Sequence, residues 1–249
     1  SYEYTKPGDA LPQHYPQIFD IESKKHIKIN DSLIPNQYSL GRYSWSRDSR
    51  SLTYEYNKRG HQLYQVIKID AKTVEQEIII NEEALVKMDF SGKRYRYDVN
   101  GGSEIIWASE RDGWKHLYLY DGETGRVKNQ ITKGEWMVRD VKYIDTLDRK
   151  IVFAASGREE GDPYFTYYYR INFDGTGLRK LTDGYGNHNA YFSPDRKYFV
   201  DTWSAVDQPP VAVLRKTLTG SVHMKLEEAD ISLLQEAGWK APEVFTAKA

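Results

Sequence analysis

The groups able to do chemistry are sparse in this 249-residue chain and never assemble into a familiar catalytic pattern. Its six histidines, His14, His26, His61, His116, His188 and His223, are scattered. None stands at the His-x-His or His-x-x-x-His spacing that places two ligands on one metal, so each is expected on a turn or a strand surface. Cysteine is absent, which excludes thiolate metal sites, thiol nucleophiles and disulfides. No Gly-x-Ser-x-Gly elbow occurs, and no serine has a partner His and Asp in a recognisable context. Gly184-Tyr185-Gly186-Asn187-His188 is glycine-rich, but it precedes a strand and lacks the lysine of a phosphate loop. Asn30-Asp31-Ser32 matches a glycosylation acceptor. Three adjacent acid pairs occur, Glu82-Glu83, Glu159-Glu160 and Glu227-Glu228, and such pairs on loops are usually a solvated face. Arg158 to Phe165 forms a long charged interruption, read as an exposed loop or as a rim contact for a substrate or a second domain. No catalytic residue, metal site or cofactor is expected.

The elements carrying these residues repeat. Turn residues Asp48, Asn100, Asp148 and Asp195 each lie between two short apolar strands and are 52, 48 and 47 residues apart, close to the length of a four-stranded propeller blade. Asp and Asn suit such turns because their side chains bond nearby amides and tolerate left-handed φ. Third strands are predicted at 63–70, 116–121, 167–174 and 211–216, and fourth strands at 74–80, 127–132, 178–182 and 222–226. Asp121-Gly122-Glu123-Thr124-Gly125 and Asp174-Gly175-Thr176-Gly177 read as hairpins whose glycines supply positive φ. Ahead of them, 17–21 and 26–29 read as two outer strands of a further blade. Asp230 to Gly238 reads as a short helix, with Asp230 as N-cap and Gly238 as C′. Trp45, Trp107, Trp114, Trp136 and Trp203 recur near blade positions, which argues for core.

Composition agrees. Aromatics are 14% of the chain, with 20 Tyr and 6 Trp, which suits half-buried pleated surfaces. Thirty-five basic against 36 acidic residues leave a net charge of −1, so nothing attracts nucleic acid or an anionic membrane. No apolar run is long enough to span a bilayer. The expected fold class is all-β: a β-propeller fragment of about four and a half four-stranded antiparallel blades with a short C-terminal helix. Residues 1–40 hold the outer strands of an incomplete blade, 41–228 four blades, and 229–249 the helix and a linker. Both ends read as cuts in a longer parent. A ring cut part-way cannot seal itself, so the chain alone is expected as an open arc, a strained smaller ring or an intermolecular pair.

Ser109-Glu110-Arg111-Asp112-Gly113-Trp114-Lys115-His116-Leu117-Tyr118-Leu119-Tyr120 resembles the blade signature of the N-terminal region of the dipeptidyl peptidase IV family of prolyl oligopeptidase-type serine peptidases. Phe192-Ser193-Pro194-Asp195, Arg170 to Gly177 and Asp207-Gln208-Pro209-Pro210 are similar too. Trp239 to Ala247 resembles the junction at which that family's hydrolase domain begins. The resemblance implies an eight-bladed propeller over an α/β-hydrolase domain that removes dipeptides, with paired glutamates holding the substrate N-terminus. By element order that glutamate motif lies upstream of Ser1.

The family also places an aromatic and an arginine near the substrate, ahead of the strand that contains Trp107. Phe90 would be the aromatic; no arginine directly follows it, and Arg94 is expected to substitute, since a guanidinium can grip a peptide carbonyl or carboxylate bidentately. The other reading has Phe90 packing between blades and Arg94 solvated. The implied role is a non-catalytic segment of an exported, periplasmic or secreted serine dipeptidyl peptidase that gates and orients peptide substrates. Its implied partners are the parent's C-terminal α/β-hydrolase domain, the peptide and a second copy of itself. The alternative is a non-enzymatic periplasmic propeller, like the TolB-type repeat proteins, that binds protein partners.

Overall fold

The computed structural model describes residues 6, 8–10, 12–85, 94–243, 245, 247 and 248. A two-stranded antiparallel sheet, β1 (Gln17–Asp20) and β2 (Lys25–Lys28), comes first. Four four-stranded sheets follow, each with its strands side by side in chain order. The first holds β3 (Gln37–Trp45), β4 (Ser51–Lys58), β5 (Leu63–Asp70) and β6 (Gln76–Glu83). The second holds β7 (Arg96–Val99), β8 (Glu104–Ser109), β9 (His116–Asp121) and β10 (Val127–Gln130). The third holds β11 (Met137–Asp145), β12 (Lys150–Ser156), β13 (Thr166–Asn172) and β14 (Arg179–Lys180), and the fourth β15 (Asn187–Phe192), β16 (Tyr198–Ala205), β17 (Gln208–Lys216) and β18 (Val222–Glu228). This is the all-β set of four-stranded propeller blades that the repeat predicts.

The chain divides into two compact units, Ser1–Arg111 with Tyr118–Asn129 and Asp112–Leu117 with Gln130–Ala249. In both, middle strands are covered on both faces: β8 is buried at every residue, and β12 at all but its first. The cores lie between sheets. In the first unit Tyr54, Tyr56, Ile67 and Ile69 pack against Ile18 and Ile34, and Tyr64, Val66, Ile79 and Ile80 against Ile105, Trp107, Tyr118 and Tyr120. In the second, Val152, Ala154, Tyr168 and Leu181 meet Phe199, with Phe192 and Ala190 beside them. A lone blade would leave both apolar faces wet, so each depends on its neighbour.

Several local expectations change. The left-handed residue of three repeat turns is the one after the aspartate: Ser49, Arg149 and Arg196 have φ of 59°, 51° and 57°, whereas Asn100 is itself left-handed at 48°. Asp48 and Asp195 instead brace the turn, each accepting from a serine hydroxyl, Ser46 or Ser193, and from the amide two residues on. Gly122 does not supply a positive φ. It is required for space, because a Cβ there would lie 1.7 Å from the Gly102 carbonyl oxygen. Pro209 and Pro210 fall inside β17, where the register shifts between Trp203 and Ala205, as befits residues that donate no ladder bond. Trp107 and Trp136 are core, but Trp45 and Trp114 are exposed.

The helix α1 spans Ser232–Glu236. Ile231, not Asp230, is its N-cap; Asp230 Oδ1 accepts from the Ser232 amide one position earlier. At the other end Gly238 has φ 89°, its N–H donates to Gln235 and that of Trp239 to Leu234. That pair of bonds is a Schellman stop.

Candidate functional site

Of the two residues predicted to contact a ligand, Phe90 lies outside the described residues, and Arg94 heads the segment entering β7. Arg94 does not stand alone in solvent. Its Nη1 donates to Glu55 Oε2 at 2.8 Å and to the Tyr64 hydroxyl at 2.5 Å, and that hydroxyl donates to the same Glu55 oxygen at 2.5 Å. Its guanidinium carbon also lies 5.8 Å from the centre of the Tyr64 ring. Burial works against the Arg94 charge, but Tyr64 and Glu55 outweigh it and hold the guanidinium above its ordinary range. Burial, and then the Glu55 carboxylate, push the Tyr64 phenol up.

Glu55 projects from the centre of β4, a strand buried along most of its length, and its side chain is 2% exposed. Three guanidinium groups converge on it. Besides Arg94, Arg96 Nη1 is 3.5 Å from Oε1 and Arg42 Nε 3.7 Å from the same oxygen. Among the described residues neither Glu55 Oε1 nor Arg96 Nη1 has a hydrogen-bond partner. Arg96 is otherwise spent on Asp98 and Thr53, and Arg42 on the Arg96 carbonyl. A buried carboxylate thus fixes the bases of two arginines, Arg42 and Arg94, whose side chains stay about two-fifths exposed. Among the described residues Arg94 bonds through Nη1 only, which leaves the rest of its donor fork for a carbonyl or carboxylate.

A second cluster in the same unit absorbs part of the motif that carried the resemblance. Glu82 lies on β6, not on a solvated loop, with its side chain 12% exposed. It accepts from Trp107 Nε1 at 3.1 Å, Ser109 Oγ at 2.8 Å and Arg111. Arg111 also donates to the Tyr120 hydroxyl and lies 4.5 Å from the centre of the Tyr118 ring. Glu82 and the tyrosine and tryptophan groups are buried or nearly so, while Arg111 stays about one-third exposed, so the cluster fastens strands around a partly solvated arginine.

The second unit buries two histidines, against their expected surface positions. His188 Nδ1 is 2.8 Å from Asp201 Oδ1, and its Nε2 is 3.1 Å from the Gly184 carbonyl. Arg215 Nε donates to the other Asp201 oxygen at 2.7 Å. This His–Asp pair has the look of a base and its orienting acid, yet both ring nitrogens face acceptors, so none is left to serve a nucleophile. The glycine-rich stretch is its seat: Gly184 lends the carbonyl, and a Cβ there would lie 2.9 Å from Trp203 Nε1. His116 is held likewise, between Thr132 Oγ1 at 3.0 Å and the Gly134 carbonyl at 2.9 Å.

The other acid pairs divide. Glu159 is taken up by Tyr169 at 2.6 Å, Lys180 at 2.7 Å and Arg158 at 3.1 Å, while Glu160, Glu227 and Glu228 are exposed. The groups that sequence reasoning overlooked are Glu55 and Asp201. Their signal was present: one acid inside a run of strand-forming residues, Tyr54-Glu55-Tyr56 and Val200-Asp201-Thr202. Among the described residues no group of three His, Asp or Glu could hold a metal ion, and no helix is long and apolar enough to cross a membrane.

Residues 1–210 match the family model of the dipeptidyl peptidase IV (DPP IV) N-terminal region. The chain is 23% identical over 217 residues to dipeptidyl peptidase 4 of Trichophyton equinum, covering 83% of this chain and 27% of that one. Against dipeptidyl peptidase 4 of Trichophyton rubrum it is 22% identical with the same coverage. Its fold is similar to the crystal structure of Porphyromonas gingivalis dipeptidyl peptidase 4, with a TM-score of 0.64 and 20% identity, over 89% of this chain and 30% of that one. The chain therefore spans about a quarter of the length of these curated relatives.

Proposed function

The chain belongs to the family of dipeptidyl peptidase IV N-terminal regions, and from that premise we propose that it is the non-catalytic propeller segment of an exported serine dipeptidyl peptidase. In this reading it limits access to, and orients peptides for, an α/β-hydrolase domain elsewhere in the same protein. Domain assignment follows: 1–40 outer strands of an incomplete blade, 41–228 four blades, 229–249 the helix and lead-in to the hydrolase. The compartment is periplasmic or extracellular, and pairing of two copies is part of the proposal. The relatives above are peptidases, which favours this reading over a partner-binding TolB-like propeller.

The observation that carries the reading is the Glu55–Tyr64–Arg94 arrangement. A ligand-binding arginine must keep one geometry before substrate arrives, since ordering a long side chain on binding costs affinity. Arg94 meets that requirement through Nη1 and keeps further donors for a peptide carbonyl. We assign Arg94, with Phe90 beside it in sequence, to substrate binding.

The test uses dipeptide-arylamide hydrolysis. The pure chain should show no turnover, and the longer protein with its hydrolase domain should be active. In the longer protein Arg94→Gln and Phe90→Ala should raise KM about tenfold with kcat nearly unchanged, as expected when binding common to ground and transition states is lost. Turnover by the chain alone, or a KM indifferent to both substitutions, overturns the assignment.

A further inference from the structure

Two equivalent spaces between neighbouring sheets, one in each unit, differ in a way that assigns a ligand. In the first unit the space between the β3–β6 and β7–β10 sheets is nearly closed, about 20 Å³, and is lined by Lys68 of the third strand, β5, and by Gly122 and Glu123 of the β9–β10 turn. Lys68 Nζ donates to the Glu123 carbonyl at 2.8 Å and lies 3.6 Å from its carboxylate. The neighbouring sheet thus supplies a cation on β5 with its own acid. In the second unit the corresponding space lies between the β11–β14 and β15–β18 sheets. Its third-strand cation is Arg170 of β13, and the β17–β18 turn contributes Thr217 and Leu218 where the first unit has Gly122 and Glu123. The acid is missing, and the space opens to about 510 Å³.

Three further features bear on what fills it. Among the described residues Arg170 makes no side-chain hydrogen bond or ion pair, although it is half-buried. Thr217 lines the same space, and its hydroxyl oxygen is buried and has no hydrogen-bond partner among the described residues, although a buried hydroxyl is normally paired. Five cations line the cavity against three carboxylates, and the carboxylates are engaged within their own hairpins. Asp145 accepts from the Leu147 and Asp148 amides, Asp148 from Lys150 Nζ, and Asp195 from Ser193 and Lys197.

We propose that this cavity is a binding site for a carboxylate, which takes the place that Glu123 fills in the first unit: Arg170 donates to it through its fork, and the Thr217 hydroxyl, unpaired in its present rotamer, turns about χ1 to donate as well. The volume is that of a small-molecule pocket, so the intended source is a free dicarboxylate, with a glutamate side chain of a peptide as the second source of the same chemistry. The site is independent of the Glu55–Arg94 cluster.

The test is calorimetric titration of the whole chain with glutarate and, separately, with the peptide acetyl-Gly-Glu-Gly-amide. Glutarate is expected to bind, with affinity falling at least about tenfold in Arg170→Gln and about threefold in Thr217→Val, because a charged hydrogen bond contributes more than a neutral one. Lys68→Gln should leave binding unchanged. Far-UV circular dichroism of each variant verifies the fold, and Thr217→Val keeps the test decisive if Arg170→Gln unfolds. Binding of the peptide but not glutarate supports the site and assigns its source to a protein side chain. Failure of both probes to bind at about 10 mM, or binding that survives both substitutions, overturns the proposal.

Discussion

Glu55 and Arg94 form a 2.8 Å ion pair whose two ends live in different media: the acid is 2% exposed, the base 39%. The acid is therefore the structural half, answering to Arg42 and Arg96 as well, and the arginine is the half that reaches solvent.

Their unequal burial predicts unequal effects on stability. Glu55→Gln removes the buried carboxylate on which Arg42, Arg94 and Arg96 converge and should cost about 3 kcal/mol, although Arg96 keeps Asp98. Arg94→Ala removes a solvent-screened partner and should cost about 1 kcal/mol or less. Urea denaturation measures both; an equal loss would mean that the cluster is not anchored from the acid.

The buried His188–Asp201–Arg215 chain should behave as one unit. Asp201→Asn is expected to destabilise by about 3 kcal/mol or more, because it withdraws the common acceptor from two buried partners. In a double-mutant cycle Asp201→Asn with Arg215→Met should be clearly non-additive. Additivity would show that the two side chains are energetically separate despite their 2.7 Å contact.

Two glycines separate space from backbone strain. Gly113 has φ 92° and, among the described residues, nothing within 4 Å of a built Cβ, so Gly113→Ala should cost only about 1 kcal/mol of conformational strain. Gly122→Ala drives a methyl into the Gly102 carbonyl and should cost at least about twice as much. Thermal melts that rank them in reverse would contradict the close approach of the two turns.

The chain should also lose stability in acid through its turns. Serine hydroxyls and then turn amides hold Asp48 and Asp195 below the ordinary carboxylate range. Glu159 is held low too: burial opposes its charge, but Lys180 and Tyr169 outweigh it. Groups lowered by folding bind protons more readily when unfolded, so their stabilisation is complete above the ordinary carboxylate range and is lost as pH falls through it. Melting temperatures from neutral pH to about pH 3 should fall less steeply in Asp195→Asn and Glu159→Gln than in the wild type; unchanged slopes would refute the assignment.

The sequence by itself determined the blades. Strand and turn chemistry is local: Asp48, Asn100, Asp148 and Asp195 mark their hairpins by side-chain bonds reaching only a few residues, so a repeat near fifty could be counted before any contact was known. Third strands at 63–70 and 116–121 need no more than alternation and a following turn.

Tertiary structure decided what the polar residues do, because that depends on which side chain a neighbouring strand or sheet brings within three or four ångströms. Arg94 reads as a free cation until Glu55, 39 residues away, is seen beneath it. His188 reads as a surface residue until Asp201 and Gly184 close on both its nitrogens. Lys68 and Arg170 are alike as third-strand cations, and only the facing turn, Gly122-Glu123 in one case and Thr217-Leu218 in the other, sets them apart: the first turn brings an acid to Lys68 and the second brings none to Arg170. Electrostatic attraction and desolvation act through space, and distance along the chain carries no record of them.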